Sequence, residues 1–341
     1  MVKGKRWAAL VALFGALAIV SAACSSDGDG SEPTGPSGLT GSITISGSST
    51  VQPISALVAE IFNETNPDVG ITVDGPGTGD GFELFCSGET DISDASRPID
   101  EEEVVACEGN GIGYVELEVA FDGITVMTNP ENAAVECLNS GDLYALFGPE
   151  SEGFASWSDA NALATEVGGT GGFPDAPLDI TAPGEESGTY DAFIELSGIP
   201  DIAVAQGVPE EESEALRKDY TGSPDDNVII QAMAGSPSSL GFVGFAFAEE
   251  AGDAVREIAV DGGDGCVGPS AEAIADGSYP LSRSLFIYVN TATVAESPAL
   301  AAYVDYYLSD EALNDIVAEV GYIPLPADRV EATRTAWEGA A

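Results

Sequence analysis

The chain has 341 residues, 44% of them hydrophobic, and a formal net charge of −48 set by 58 acidic and 10 basic residues. That length and composition fit a globular body of one large or two smaller domains. The charge excludes nucleic acid as a partner, because a phosphate backbone needs a cationic surface, and the absence of histidine removes His-dependent triads, His proton shuttles and His-ligated zinc.

The N-terminus reads as an export signal. Lys3, Lys5 and Arg6 precede the apolar run WAALVALFGALAIV, and the small residues SAAC close it at Cys24. A cysteine at that point resembles the modified residue of bacterial lipoproteins. The resemblance implies a signal peptide over residues 1–24, a lipid on Cys24 and a place on the outer face of the cell membrane. Residues 25–40 have the Gly/Ser/Pro-rich composition of a flexible tether, and no later apolar run is long enough to span a bilayer. Four cysteines remain: Cys86, Cys107, Cys137 and Cys266. An even number in an exported chain predicts two disulfides. Three pairings are open, of which a short Cys86–Cys107 loop with a long Cys137–Cys266 loop is favoured. No CxxC spacing exists, so no metal site and no cofactor are expected.

From residue 41 onward strand-like and helix-like stretches alternate, the pattern of an α/β chain. ITISGSSTVQPI (43–54) is an alternating β-branched run that passes through a cluster of hydroxyls into a helix. GITVDG (70–75) predicts a strand, GDGFELFCSG (79–88) a short helix ended by Gly88, and TDISDAS (90–96) a strand entering a loop. DEEEVVACEGNG (100–111) predicts a helix with acids in its first turn, where the helix dipole favours them. YVELEVAFDGITVMTN (114–129) reads as one long strand or two segments. SGDLYALFG (140–148) opens like a capped helix, and residues 157–179 read as a helix and then a Gly/Pro-rich surface loop. ESGTYDAFIELSG (186–198) and SPDDNVIIQAMAG (223–235) lead from loop to helix. SLGFVGFAFAEEAG (239–252) is a strand leading to a helix, SRSLFIYVN (282–290) is strongly β, and residues 297–321 predict two terminal helices.

Three stretches share one design: SGSSTVQPI (46–54), GPGTGDGFELF (75–85) and PGEESGTYDAF (183–193) each pass small polar residues into a helix start. A helix N-terminus offers unpaired N–H groups and the positive end of a dipole, and hydroxyls and glycines there let donors converge on an oxyanion. An acidic protein can therefore bind an anion through local dipoles. Taken singly, each stretch is also an ordinary N-cap.

Together with GSSTVQPI, GTGDGFELFCSGETDISDASRPI, GPESEGFASWSD, APGEESGTYDAF, SLGFVGFAFA and LFIYVN, these stretches resemble the PstS family of phosphate-binding lipoproteins of bacterial ABC transporters, over residues 41 to about 326. The resemblance implies a two-lobed periplasmic-binding-protein fold of type II, each lobe a mixed sheet flanked by helices, joined by crossover hinge strands. Lobe I would comprise residues 41–124 and 285–341, and lobe II residues 125–284. The implied partners are inorganic phosphate and permease subunits, with the membrane reached through Cys24 and the protein itself a monomer. Carried over by motif, phosphate would meet Ser49, Thr50, Val51 and Thr78 from one lobe and Ser187, Gly188 and Thr189 from the other. Ser96 and Arg97 fall in a further contact loop.

Two departures stand out. Ser96 occupies the place where many members carry a proton-accepting aspartate, which leaves Asp80, Asp94 or Glu185 as substitutes, with Asp80 favoured for its place in the glycine loop. Pro183 stands where many carry an arginine, so Arg97 is expected to supply the cation, its alternative being a structural ion pair with a nearby acid. Another oxyanion, or a sensing role, fits the same layout. A secreted phosphatase needs an activated nucleophile, and Ser187 has no histidine to activate it.

Overall fold

The computed structural model describes residues 38–185 and 187–340. The expected signal peptide, Cys24 and most of the tether lie outside the described residues. The strands are β1 (Gly41–Gly47), β2 (Val69–Asp74), β3 (Ile92–Ala95), β4 (Tyr114–Thr128), β5 (Cys137–Asn139), β6 (Asp179–Ala182), β7 (Thr221–Gly222), β8 (Ser239–Gly244), β9 (Arg256–Glu257), β10 (Ala259–Asp261), β11 (Cys266–Val267) and β12 (Ser282–Asn290). Among the described residues the main sheet runs β2-β1-β3-β12-β4-β8-β6-β7, with β9 added to β4. β1 is parallel to β2 and β3, whereas β12 is antiparallel to β3 and β4. β8 is antiparallel to β4 and parallel to β6.

The stretch at 114–129 forms one uninterrupted strand of 15 residues. Its sequence explains how it changes role along its length. Glu116 and Glu118 alternate with buried Val115 and Leu117, so one face is open there, and from Val119 to Thr128 every residue is buried. β12 shows the same change, with its apolar run from Leu285 buried between β3 and β4. Continuous burial is what a strand covered on both faces requires.

Two large cores sit on the two ends of this sheet. One gathers Ile45, Val58 and Phe62 with Leu117, Val289, Tyr303 and Trp337. The other gathers Ile124, Leu143, Trp157, Phe193, Phe242 and Leu281, with the Phe193 and Phe242 rings stacked at 3.9 Å between centroids. β4 and β12 pass between them, and this is the two-lobed mixed α/β arrangement.

The helices that matter for the cleft are α1 (Gln52–Thr65), α2 (Thr78–Ser87), α3 (Glu101–Asn110), α4 (Ser140–Phe147), α5 (Asn161–Glu166) and α6 (Gly188–Ser197). Gly88 ends α2 in the left-handed conformation, φ 82°, where glycine carries no Cβ penalty. The C-terminal region departs from expectation. A helix over Pro298–Tyr307 is followed by a π turn over Glu311–Ile316, and a further helix spans Ala327–Glu338. The sequence ADRVEATRTAWE is too polar to show a clear apolar stripe. Its Trp337 is nonetheless buried, with the indole N–H donating to Asp305 at 2.7 Å. Trp157–Ala160 form a short 3-10 turn that leads directly into α5.

Both favoured disulfides form, Cys86–Cys107 and Cys137–Cys266. The first ties α2 to α3. The second joins β5 to β11 across a small separate sheet, β11-β10-β5, and closes a sequence separation of 129 residues.

Candidate functional site

The turn after β1 makes the first part of the site. Gly47 has φ 150°, and a Cβ there would lie 2.0 Å from the Asp94 carbonyl oxygen of β3. Only glycine lets the two backbones meet so closely. The chain then folds over Ser48, whose N–H donates to the Asp94 carbonyl at 2.8 Å and whose carbonyl accepts from Gln52 at 3.0 Å. The Ser48 hydroxyl accepts from the Thr50 N–H at 3.2 Å.

The starts of α1 and α2 differ from those of α3 and α4. α3 and α4 begin with full capping boxes, Asp100 with Glu103 and Asn139 with Asp142. α1 begins at Val51 with no side-chain cap and no acid in its first turn, and α2 begins at Gly77 with no side-chain cap. In a chain with 58 acidic residues, two uncapped helix mouths leave N–H donors for a guest anion. α6 starts at Ser187, whose hydroxyl accepts from the Thr189 N–H at 3.2 Å.

These mouths converge. A Cβ on Gly188 would lie 3.6 Å from the Ser49 carbonyl oxygen and 3.7 Å from the Thr50 Cα, so α6 meets the α1 turn at van der Waals distance. The Ser49 hydroxyl donates to Asp191, one turn into α6, at 3.1 Å. Thr78 and Ser96 meet at 3.0 Å between hydroxyls, and the Ser96 N–H also donates to the Thr78 oxygen at 3.2 Å. A cavity of about 620 Å³ opens beside them, lined by Thr78, Ser96, Arg97, Glu195, Arg283 and neighbours. Val51 is buried behind the turn, so only its backbone is placed to serve a ligand.

Arg283, at the start of β12, is the residue that sequence reasoning missed. Its side chain is 10% exposed. It donates to the Thr50 hydroxyl at 2.9 Å, pairs with Glu195 of α6 and lies 3.4 Å from the buried Asp122 carboxylate of β4. Burial pushes the Asp122 carboxyl up, against the opposing pull of Arg283. One guanidinium thus touches the α1 turn, α6 and the crossing of β4 with β12.

Arg97 is placed otherwise. It forms a two-pronged ion pair with Glu103 at 2.7 and 2.8 Å, lies 3.5 Å from Asp100 and covers the Phe82 ring at 5.6 Å. The bond to Glu103 raises its affinity for its proton further. Its stem lines the cavity, but its charge is directed at the start of α3. Asp80 is exposed on an outer groove with Pro76 and Glu83, and Glu185 is exposed as well.

Asp94 is sealed beneath the turn. It accepts from Ser55 at 2.9 Å, and Ser55 also meets the Tyr307 hydroxyl at 3.1 Å. Among the described residues its other oxygen has no hydrogen-bond partner. Burial pushes the carboxyl up to about 7 from 3.8. The folded protein therefore holds this proton between about pH 4 and pH 7 while the unfolded chain has released it, so stability from this group is full at low pH and falls as pH rises to 7. At about 1.4 kcal/mol per unit the loss is on the order of 4 kcal/mol. In urea unfolding, the drop in stability from pH 5 to pH 8 is expected to shrink in Asp94→Asn. An equal drop in both proteins would remove Asp94 as its source.

Residues 32–311 match the family model of a PBP superfamily domain. Protein SphX of Synechocystis sp. is 41% identical over 295 residues, covering 86% of this chain and 81% of its own. The phosphate-binding protein PstS of Staphylococcus haemolyticus is 31% identical over 327 residues, covering 94% of this chain and 93% of its own. The solved structure of a possible phosphate binding protein from Planctomyces limnophilus is 34% identical, covers 89% of this chain and 99% of that one, and superposes with a TM-score of 0.78. An ABC-type phosphate transport receptor from Vibrio cholerae, 23% identical over 83% of this chain and 100% of its own, shares the fold at a TM-score of 0.58. A chain that aligns with these proteins over most of its length belongs to the PBP superfamily and, within it, to the PstS family.

Proposed function

We propose that this chain is the extracytoplasmic substrate-binding protein of an ABC transporter, capturing inorganic phosphate between its lobes and delivering it to the permease. Residues 41–124 with 285–341 would move as one lobe and residues 125–284 as the other, hinged where β4 and β12 cross. Hinge closure about a ligand brings donors from both sides onto one anion. The lipid on Cys24 and a monomeric state belong to the same proposal.

The observation that carries it is the meeting of the α1 turn with the mouth of α6, at 3.6 Å from the Gly188 Cβ position to the Ser49 carbonyl. The backbone N–H of Val51, the hydroxyls of Ser49, Thr50, Thr78 and Ser96, and the Ser187-Gly188-Thr189 turn would wrap the phosphate. Arg283 rather than Arg97 is the cation of the site in this proposal. It already reaches the Thr50 hydroxyl, and in a half-enclosed cleft a guanidinium gives strong charge-assisted bonds to an oxyanion.

The protein binds without catalysing in this reading. The Ser187 hydroxyl is engaged as the cap of α6, and the chain holds no histidine to activate it. Calorimetric titration of the full chain in mild detergent is expected to show one phosphate bound per protein. No binding heat and no phosphate-dependent rise in unfolding temperature would end the proposal, and turnover of a chromogenic phosphate ester would replace it with an enzyme.

A further inference from the structure

The C-terminal segment joins the two lobes a third time. Gly321, at φ 87°, ends the helical run before it, with the Tyr322 N–H donating to the Val317 carbonyl at 3.1 Å. GYIPLP (321–326) then leads into the helix over Ala327–Glu338. Phe121 and Ile323 exchange two backbone hydrogen bonds of 2.9 Å. Both polar groups of a strand residue face one edge, so Ile323 takes the edge of β4 opposite β12, just before β8 takes over at Ile124. Leu325, 4% exposed, is buried in the core around Trp157 and Phe242, whereas Val317 before the segment and Trp337 after it belong to the core around Ile45. The chain thus leaves one lobe, plants a side chain in the other and returns.

We infer that residues 321–326 are a strap across the hinge, which limits how far the cleft opens and so slows the escape of bound phosphate. The inference rests on the two-lobed phosphate reading above. The strap is engaged in a form whose lobes touch, with α6 against the α1 turn, and contacts made only in that form favour it by what opening would forfeit. Opening about β4 and β12 is resisted on this side, because Leu325 has to be drawn from its core or Ile323 parted from Phe121. Little slack is present to absorb the movement. Pro324 and Pro326 each fix their backbone at φ of about −65°. A Cβ on Gly321 would lie 2.9 Å from the Phe247 ring, so the start of the strap sits tight against the helix over Phe245–Ala251.

The strap also reaches the charged centre of the hinge. Burial raises the Tyr322 phenol well above its usual range, Asp122 adds to this and Arg283 opposes it. Tyr322 therefore stands near the ion pair whose guanidinium holds Thr50, and a displaced strap disturbs that pair. Val330 packs against both cores, so the helix that follows the strap shares in the same movement.

The test is stopped-flow dissociation of phosphate from the full chain in mild detergent, for the wild type, Leu325→Ala and Leu138→Ala. Leu325→Ala removes the anchor, and Leu138→Ala thins the same core from β5. Release from Leu325→Ala is expected to be faster by about fivefold or more, with association nearly unchanged. Leu138→Ala is expected to lose stability without matching that acceleration. Equal release from Leu325→Ala and the wild type, or equal acceleration in the two variants, overturns the strap and leaves phosphate capture intact. Should Leu325→Ala fold poorly, hydrogen exchange of the wild type decides. The Ile323 amide, bonded to Phe121, is expected to exchange more slowly with phosphate bound. An unchanged rate at Ile323 beside new protection at the mouth of α6 also overturns the strap. A wild type that binds no phosphate overturns both this inference and the reading beneath it.

Discussion

Arg283→Gln is expected to lower phosphate affinity by about 100-fold or more, the equivalent of ~3 kcal/mol. The guanidinium donates to Thr50 in the α1 turn and pairs with Glu195 from α6, so its loss removes the cation from both walls of the cleft at once. The fold should suffer as well. Asp122 is 4% exposed and loses the cation beside it, a change that costs about 3–5 kcal/mol when a buried pair is broken from one side. The destabilisation should ease as pH falls, because a protonated Asp122 needs no counter-charge. The double variant Arg283→Gln with Asp122→Asn separates the two effects. Urea unfolding should show stability largely restored, while calorimetry should show affinity still lost. Phosphate affinity restored in the double variant would reduce Arg283 to a structural residue.

Gly47→Ala is expected to be the most damaging single methyl group in the site, at roughly 3–5 kcal/mol of stability. The added carbon would lie 2.0 Å from the Asp94 carbonyl oxygen, and that oxygen already accepts the Ser48 N–H. The clash is with backbone, so no side chain can rotate away. Relief must come from separating β1 and β3 at the point where they set the α1 turn. α2 presses on the same place, since a Cβ on Gly81 would meet the Gly47 Cα at 2.4 Å. The shift in urea midpoint should be accompanied by loss of phosphate binding. Gly79→Ala is the control, because its added methyl meets nothing within 4 Å and should leave the midpoint nearly unchanged. Equal midpoints for the two variants would show that the close approach at Gly47 is dispensable.

The elements that local sequence determines were legible. SRSLFIYVN announces β12 through an unbroken β-branched and aromatic run, and Gly88 ends α2 where its freedom at positive φ requires. Cys86 with Cys107 and Cys137 with Cys266 were favoured partners before any contact was known. The start of α6 at Ser187 was legible too, because capping is written within a few residues. The partners of charged groups were not. Arg97 and Arg283 look alike in sequence, yet one is held by Glu103, six positions away, and the other by Thr50 and Glu195, 233 and 88 positions away. A signal did exist at Arg283: a lone cation opening an apolar strand, in a chain with so few cations, has to be paired on burial. The contact between Ser49 and Asp191 escaped notice because an acid in the first turn of a helix is ordinary. The helix over Ala327–Glu338 was hidden by its polarity.

The order of the strands also bears on how the molecule comes into being. The core around Trp157 and Phe242 draws almost wholly on residues 121–281, with Leu325 the exception. The core around Ile45 needs Leu117 and Val289 and is finished by Trp337. β3 meets β12 through Ile92 and Val289, almost two hundred positions apart. A chain emerging from its N-terminus therefore carries its first three strands as unclosed ends while the middle third gains its own interior. Assembly should begin in the centre of the polypeptide and finish when its last segments stitch the beginning to the end.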